Sequence, residues 1–280
     1  MQYVRFKWIA KCIFVCIFAA VFLEEKLALR RSCLVTGAAG GIGREIVKRA
    51  AADGLRVIAA DLDRDAAASA LDGIEGEGHE AVALDVSSEV SVSDLFGKAR
   101  DAGQAIDTVV AAAGVLLFLP NGERPTITQI ELEDWELTHR VNATGTFLLL
   151  REYLRQCAEM PVTSGRFIGF SSVAAQLGGY RSSAAYIASK SAVMGLMKAG
   201  AREAAHLGVT VNAIAPGLID APMLRQSLAP DQDGAVSANI PLQRIGTPQD
   251  VAGAVSYLMS SDAAYVTGTV IDVNGGYRMQ

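Results

Sequence analysis

The sequence predicts a doubly wound parallel α/β sheet of about seven strands with helices on both faces. Three observations carry that expectation. Short β-rich runs alternate with amphipathic helical runs from Ser32 to Val273, the pattern of parallel βαβ units. The stretch Ser32–Gly43 reads Ser-Cys-Leu-Val-Thr-Gly-Ala-Ala-Gly-Gly-Ile-Gly, a strand that breaks into glycines and restarts as a helix. An acidic residue, Asp61, closes the second strand eighteen residues beyond Gly43, at the carboxyl edge where open sheets bind ligands.

Taken in order, Ser32–Thr36 is the first strand. Gly37, Gly41 and Gly43 form the turn, and Ile42–Asp53 is the helix it opens. Unpaired backbone N–H groups and the positive helix end meet there, which suits a pyrophosphate. A plain tight turn would use the same glycines. Arg56–Ala60 is the second strand, ending at Asp61, with a helical stretch over Arg64–Leu71 and a Gly-rich loop over Gly73–Gly78. Glu80–Leu84 is the third strand, ending at Asp85. Ser87–Ala102 is a helix with Ser87 or Ser88 as its N-cap. Thr108–Ala112 is the fourth strand, broken at Gly114. Leu116–Ile130 has no period, and one long helix follows from about Glu133 to Gln156. Arg166–Ser171 is the fifth strand and Ala184–His206 a helix. Thr210–Ala215 is the sixth strand, stopped by Pro216-Gly217. Leu218–Pro241 is a lobe of weak helical character. Pro248–Ser260 is a helix capped by Thr247 with Pro at its first position, and Val270–Val273 is the last strand.

Length and composition set the bounds. Residues 31–280 fit a single domain with ample core, at 51% hydrophobic content over the 280-residue chain. The net charge of −5 with no long basic run argues against nucleic acid as a partner. Cys12, Cys16, Cys33 and Cys157 show neither metal spacing nor a disulfide framework, so no metal is expected and a reducing compartment fits. Residues 1–30 stand outside the domain pattern. Cys12–Leu23 is an apolar run of twelve behind Arg5, Lys7 and Lys11, short of the ~20 residues that span a bilayer. Three readings stay open: a short anchor, an export signal, or a segment outside the working protein. The domain is expected in the cytoplasm, with membrane contact only through residues 1–25.

Several residues carry chemistry. Asp61 can accept hydrogen bonds from an adenosine ribose and repel a 2′-phosphate, which favours NAD; Arg44 and Arg64 nearby leave NADP open. A solvated strand-end carboxylate is the plainer reading. Asp85, followed by Val86, could face an adenine or simply form a turn. Tyr186 and Lys190 are four apart in Tyr-Ile-Ala-Ser-Lys and share a helix face. A phenol is a poor base at neutral pH, and an adjacent ammonium lowers its pKa toward use. Such a pair is also common on plain surfaces. Ser171-Ser172 ends the fifth strand, where a hydroxyl could hold a substrate oxygen.

Together these residues resemble the short-chain dehydrogenase/reductase family in its single-domain, Rossmann-like form, from about Ser32 to Tyr277. Thr36-Gly37-x-x-x-Gly41-x-Gly43 matches its cofactor turn, and Asn142, Ser172, Tyr186 and Lys190 match its catalytic tetrad. Pro216-Gly217 with Ile219 matches the nicotinamide-flanking segment. Gly246-Thr-Pro-Gln-Asp-Val-Ala and Tyr265-Val-Thr-Gly…Asp272-Val-Asn-Gly-Gly match its carboxyl-terminal signature. The resemblance implies that Tyr186 is the acid/base, that Lys190 depresses its pKa and binds the nicotinamide ribose, that Ser172 orients the substrate oxygen, and that Asn142 holds a relay water. It implies cofactor contacts at Gly37, Gly41, Ile42, Gly43, Asp61, Asp85, Val86, Ala113, Gly114, Pro216, Gly217 and Ile219, besides Tyr186 and Lys190.

The chain also departs from that pattern. Ala111-Ala112-Ala113-Gly114 replaces the usual Asn-rich run, and Ala221 stands where a Thr is common. The fourteen-residue gap from Ser172 to Tyr186 is one longer than usual, leaving Ser171 as a weaker candidate. The implied function is NAD(P)-dependent interconversion of a secondary alcohol and a ketone by hydride transfer. An NADPH-dependent 3-oxoacyl reductase and a non-catalytic nucleotide-binding protein are the alternatives. Substrate walls are expected from Val115–Ile130, Ala174–Arg181 and Leu218–Asn239, with Leu116, Leu117, Phe118, Leu177, Leu218, Met223 and Leu224 as apolar lining. Arg181 and Arg225 are anion contacts or merely solvated. Helices apolar on more than one face, together with the resemblance, predict a homodimer or homotetramer.

Overall fold

The computed structural model describes residues 31–179 and 181–279, so the expectations for residues 1–30 lie outside the described residues. Strand β1 is Ser32–Thr36, followed by α1 (Gly41–Ala52), β2 (Arg56–Asp61), α2 (Arg64–Ser69), β3 (Glu80–Ala83), α3 (Glu89–Asp101) and β4 (Thr108–Ala111). Next come α4 (Leu132–His139), α5 (Gly145–Glu159), β5 (Gly165–Phe170), α6 (Val173–Leu177) and α7 (Ala184–Ala204). The chain then forms β6 (Val209–Pro216), α8 (Pro222–Arg225), α9 (Asp233–Ser237), α10 (Pro248–Met259) and β7 (Val270–Val273).

Alternation along the strands builds two cores. Cys33 and Val35 of β1, with Val57 and Ala59 of β2, face Ile46, Val47 and Ala50 of α1 and Val251, Val255 and Leu258 of α10. Leu34, Ile58 and Ala60 point the other way, toward Val92 and Phe96 of α3, Leu148–Leu150 of α5, and Val193 and Met197 of α7. Burial on both faces explains why these strands are apolar throughout rather than alternating. All strands are parallel, in the order β3-β2-β1-β4-β5-β6-β7. The chain leaves β1 toward one edge and returns past it to β4, so the loops after β1 and β4 diverge and open a crevice at the carboxyl ends.

Helix boundaries follow their caps. Ser88, not Ser87, caps α3 by accepting from the Ser91 N–H at 3.3 Å. Thr247 and Asp250 form a reciprocal capping box on α10, with Pro248 in the first turn. The long helix expected over Glu133–Gln156 is interrupted: residues Arg140–Thr144 form a π-turn between α4 and α5, a wide turn that often marks a functional position. Leu218–Pro241 holds α8, a 3₁₀ turn over Pro230–Gln232, and α9. Among the described residues, no helix is long and apolar enough to cross a membrane.

Candidate active site

At the crevice, Gly37 adopts a positive φ of 69°, a conformation that a side chain would strain. A Cβ on Gly43 would run into the Gly37 carbonyl, so the helix start can sit on the turn only as glycine. Gly41 also meets a packing need. A Cβ there would stand 2.9 Å from Pro222 Cδ and 3.1 Å from Ala221 Cβ, so this glycine makes room for the lobe. Asp61 at the end of β2 accepts from the Ala39 N–H at 2.9 Å and from the Leu62 N–H at 2.8 Å. It thereby fixes its carboxylate beside the glycine turn. Arg44 is turned away, donating to the Ser69 carbonyl at 2.6 Å and its hydroxyl at 2.9 Å. Asp85 accepts from the Ser87 N–H and hydroxyl and so forms the turn after β3, while Val86 is buried against Gly145.

The N-cap of α7 sets the positions of the next residues. Ser183 accepts from the Tyr186 N–H at 3.3 Å, which fixes the helix phase so that Tyr186, Ser189, Lys190, Val193 and Met197 lie on its buried face. Lys190 Nζ donates to the Phe170 carbonyl at the end of β5 at 2.8 Å. The Ser172 side chain reaches the Tyr186 phenol, whereas Ser171 donates to the Lys190 carbonyl at 2.9 Å, away from that oxygen. Ser172 is therefore the hydroxyl beside the phenol.

The π-turn delivers Asn142, which is fully buried. Its Oδ1 accepts from the Val115 N–H at 2.8 Å, and its Nδ2 donates to the Val115 carbonyl at 2.9 Å and to Ser189 Oγ at 3.0 Å. Asn142 thus clamps the loop after β4 to α7. The Ala113 N–H donates to Thr36 Oγ1 at 3.3 Å, tying that loop to β1 as well. This bond holds the loop without the side-chain amides that the Ala111–Ala113 run lacks.

Burial decides the electrostatics. It raises the Tyr186 phenol above its ordinary value, against a lowering by Ser172, and it pushes the Lys190 ammonium down to about 8. A phenol lowered by the adjacent ammonium is not what the cofactor-free site shows, because burial outweighs every other influence on it. Buried Cys33 is pushed up to about 12 and Cys157 to about 11, so neither is a nucleophile at neutral pH.

Tyr186, Ser172 and Lys190 open into a cleft of about 760 Å³. Leu116, Leu177, Leu218, Met223 and Leu224 line it as expected; Leu117 and Phe118 do not. Pro216, Gly217 and Ile219 line it as well. The Gly246 N–H to Leu218 O and Asp220 N–H to Gly246 O bonds flank Ile219 and hold it beside Gly246. Arg225 is absent from the lining: Asp220 holds it at 2.8 Å and Asp233 at 2.6 Å.

Known proteins resemble this chain over most of its length. A family model described as enoyl-(acyl carrier protein) reductase matches residues 37–278. The 3-oxoacyl-(acyl-carrier-protein) reductase FabG of Escherichia coli is 34% identical over 256 residues, covering 91% of this chain and 98% of that protein. The chain belongs to the short-chain dehydrogenase/reductase family. The (3R)-3-hydroxyacyl-CoA dehydrogenase of Mus musculus is 34% identical over 271 residues, covering 92% of this chain and 100% of that protein. A crystal structure of a short-chain type dehydrogenase/reductase from Mycobacterium marinum superposes with a TM-score of 0.81 at 28% identity, over 89% of this chain and 96% of that one. As a member of this family the chain is an oxidoreductase that interconverts an alcohol and a ketone by hydride transfer with a nicotinamide cofactor.

Within the family frame, sequence reading passed over Ser189. Its hydroxyl bridges the Tyr186 carbonyl at 2.8 Å and Asn142. Nothing local marks it, because its partner lies 47 residues earlier in the chain.

Proposed function

We propose that this short-chain dehydrogenase/reductase oxidises a secondary alcohol with NAD, reversibly, and that Tyr186 moves the proton. The observation that carries the reading is the convergence of Tyr186, Ser172 and Lys190 on one cleft, with Asn142 buried behind them. The bound cofactor supplies a hydride acceptor or donor at its nicotinamide ring. In the reducing direction the Tyr186 phenol, held protonated by burial, donates its proton to the substrate oxygen that Ser172 Oγ orients. In the oxidising direction Tyr186 must take a proton. A charged Lys190 favours that, and Lys190 would also reach the nicotinamide ribose. Asn142, its Oδ1 facing Lys190 Nζ across Gly114, would hold the water that reconnects Lys190 with solvent.

The residues around the glycine turn and the cleft fit a dinucleotide. Gly37, Gly41, Ile42 and Gly43 would approach the pyrophosphate at the start of α1. Asp85 and Val86 would flank the adenosine side, Ala113 and Gly114 would lie beside the cofactor toward Lys190, and Pro216, Gly217 and Ile219 would flank the nicotinamide. Asp61 supports NAD over NADP, because its carboxylate is fixed where a 2′-phosphate would add like charge, and Arg44 is committed to Ser69. A second reading is an NADPH-dependent 3-oxoacyl reductase; its substrate half is supported by the Escherichia coli relative, a 3-oxoacyl-(acyl-carrier-protein) reductase.

Fluorescence titration separates them: NADH should bind more tightly than NADPH. Asp61→Asn, which keeps an acceptor for the Ala39 N–H, should narrow the preference. Tighter NADPH binding by the wild type would overturn the NAD assignment. An absorbance assay over a panel of alcohols and 3-oxoacyl thioesters tests turnover, and its complete absence with NADH bound would favour a non-catalytic nucleotide-binding protein.

The working unit is residues 31–280, acting in the cytoplasm. Arg31 supports that boundary by donating to the Met259 carbonyl at 3.2 Å and the Ser164 carbonyl at 2.9 Å. Assembly as a homodimer or homotetramer would use α5 and α7, where Phe147 lies 43% exposed with Arg151 over its ring.

A further inference from the structure

The cleft around Tyr186 has a one-sided charge. Its lining includes two cations, Lys190 and Arg181, and no aspartate or glutamate. Lys190 is held inward at the Phe170 carbonyl and belongs to the proton-transfer end. Arg181 lies on the loop between α6 and α7, half-buried, and donates through Nη1 to the Ser227 carbonyl of the lobe at 3.2 Å. Among the described residues it has no carboxylate partner, in contrast to Arg225 with its two. A third cation, Arg124, outside the cleft lining, donates to the Ser182 carbonyl on the same loop at 3.3 Å and likewise pairs with no carboxylate among the described residues. The cleft that holds both Arg181 and the phenol has an apolar lining that includes Leu116, Leu177, Met223, Leu224 and Val236.

We infer that Arg181 is the specificity residue of this cleft and that the substrate carries an oxyanion, joined by an apolar segment to the alcohol or ketone. The inference rests on reading the cleft as the substrate site. A guanidinium presents a rigid fork of donors that matches carboxylate and phosphate oxygens. Its single bond to Ser227 leaves the rest of that fork available, and its half-burial strengthens attraction to an anion relative to open solvent. An apolar lining selects the chain that precedes the anion. The oxyanion comes from one of two sources, a free carboxylate or the phosphate of a carrier arm.

Binding to the protein–NADH complex tests this without requiring turnover. Octanoate is compared with octanamide, and pantetheine 4′-phosphate with pantetheine, by calorimetry or by the change in NADH fluorescence. In at least one pair the anion should bind about tenfold more tightly. Arg181→Gln should abolish that advantage while leaving octanamide or pantetheine affinity unchanged, which also shows that the cleft still folds. Arg181→Lys should restore part of it. The pair that responds identifies the source as carboxylate or phosphate. Equal binding within both pairs, or an advantage that survives Arg181→Gln, would overturn the inference. Failure of the dehydrogenase reading shows instead as absent turnover with this preference intact.

Discussion

Gly114 lacks a side chain at the point where two polar groups meet. A Cβ there would lie 3.1 Å from Asn142 Oδ1 and 3.2 Å from Lys190 Nζ, tighter than ordinary contact, so both groups would have to move. Gly114→Ala should therefore lower turnover by about tenfold or more, since small misplacements at a reacting centre are costly, while the melting temperature shifts little. Steady-state kinetics beside thermal melts check this, and unchanged turnover would show that the two groups do not depend on that gap. The phenol gives a second test. In the cofactor-free protein burial keeps Tyr186 protonated beyond its ordinary value of 10. The phenolate absorbance that separates wild type from Tyr186→Phe should thus reach its midpoint only above pH 10. Spacing alone revealed that Tyr186 and Lys190 share a face. It did not reveal the sense of the phenol's shift, because the shift depends on burial by chain segments distant in sequence. It likewise left Ser171 and Ser172 open until the direction of each hydroxyl was seen.

Helix α7 joins the site to the core. Tyr186 and Lys190 sit in its first two turns, and Val193 and Met197 continue the same face into the packed interior. Burying an ammonium there has a cost that pH reports. Unfolded, Lys190 titrates at its ordinary 10.5; folded, at about 8. Between those values the unfolded chain binds more protons, so this group adds stability as pH rises from about 8 to 10.5, and its cost is greatest below 8. Lys190→Met should accordingly stabilise the cofactor-free protein at pH 7 by roughly 1–3 kcal/mol, net of the lost bond to the Phe170 carbonyl, and the gain should vanish near pH 10.5. Urea unfolding at both pH values measures it; a variant less stable than wild type at pH 7 would contradict the burial account. The strands and most helices were legible in the sequence because their caps and apolar runs are local. The π-turn at Arg140–Thr144 was not. Its cause is the clamp of Asn142 on Val115 and Ser189, two contacts remote in sequence, with Thr146 Oγ1 donating to the Asn142 carbonyl at 2.8 Å inside the turn.

For the whole molecule, strand order brings the chemistry together: β1, β4 and β5 are neighbours, so the glycine turn, the Asn142 loop and Ser172 open on one edge. Alternating strands and helices made that sheet readable from the sequence. The lobe over residues 218–241 was not, because its short helices are held by contacts such as Ala221 and Pro222 over Gly41 rather than by any period. Assembly belongs to this scale too. A dimer or tetramer mass by light scattering at micromolar concentration is expected, and Phe147→Glu should shift it toward monomer; a monomeric wild type would contradict the proposed use of α5 and α7. The central claim, that Tyr186 moves the proton for hydride transfer in this cleft, is tested most directly by one comparison. Turnover of wild type and Tyr186→Phe is measured on the alcohol that the wild type oxidises best, with NADH affinity measured alongside. The account predicts a fall of ~10²–10⁴-fold with NADH binding retained. A folded Tyr186→Phe protein that turns over at close to the wild-type rate would contradict it.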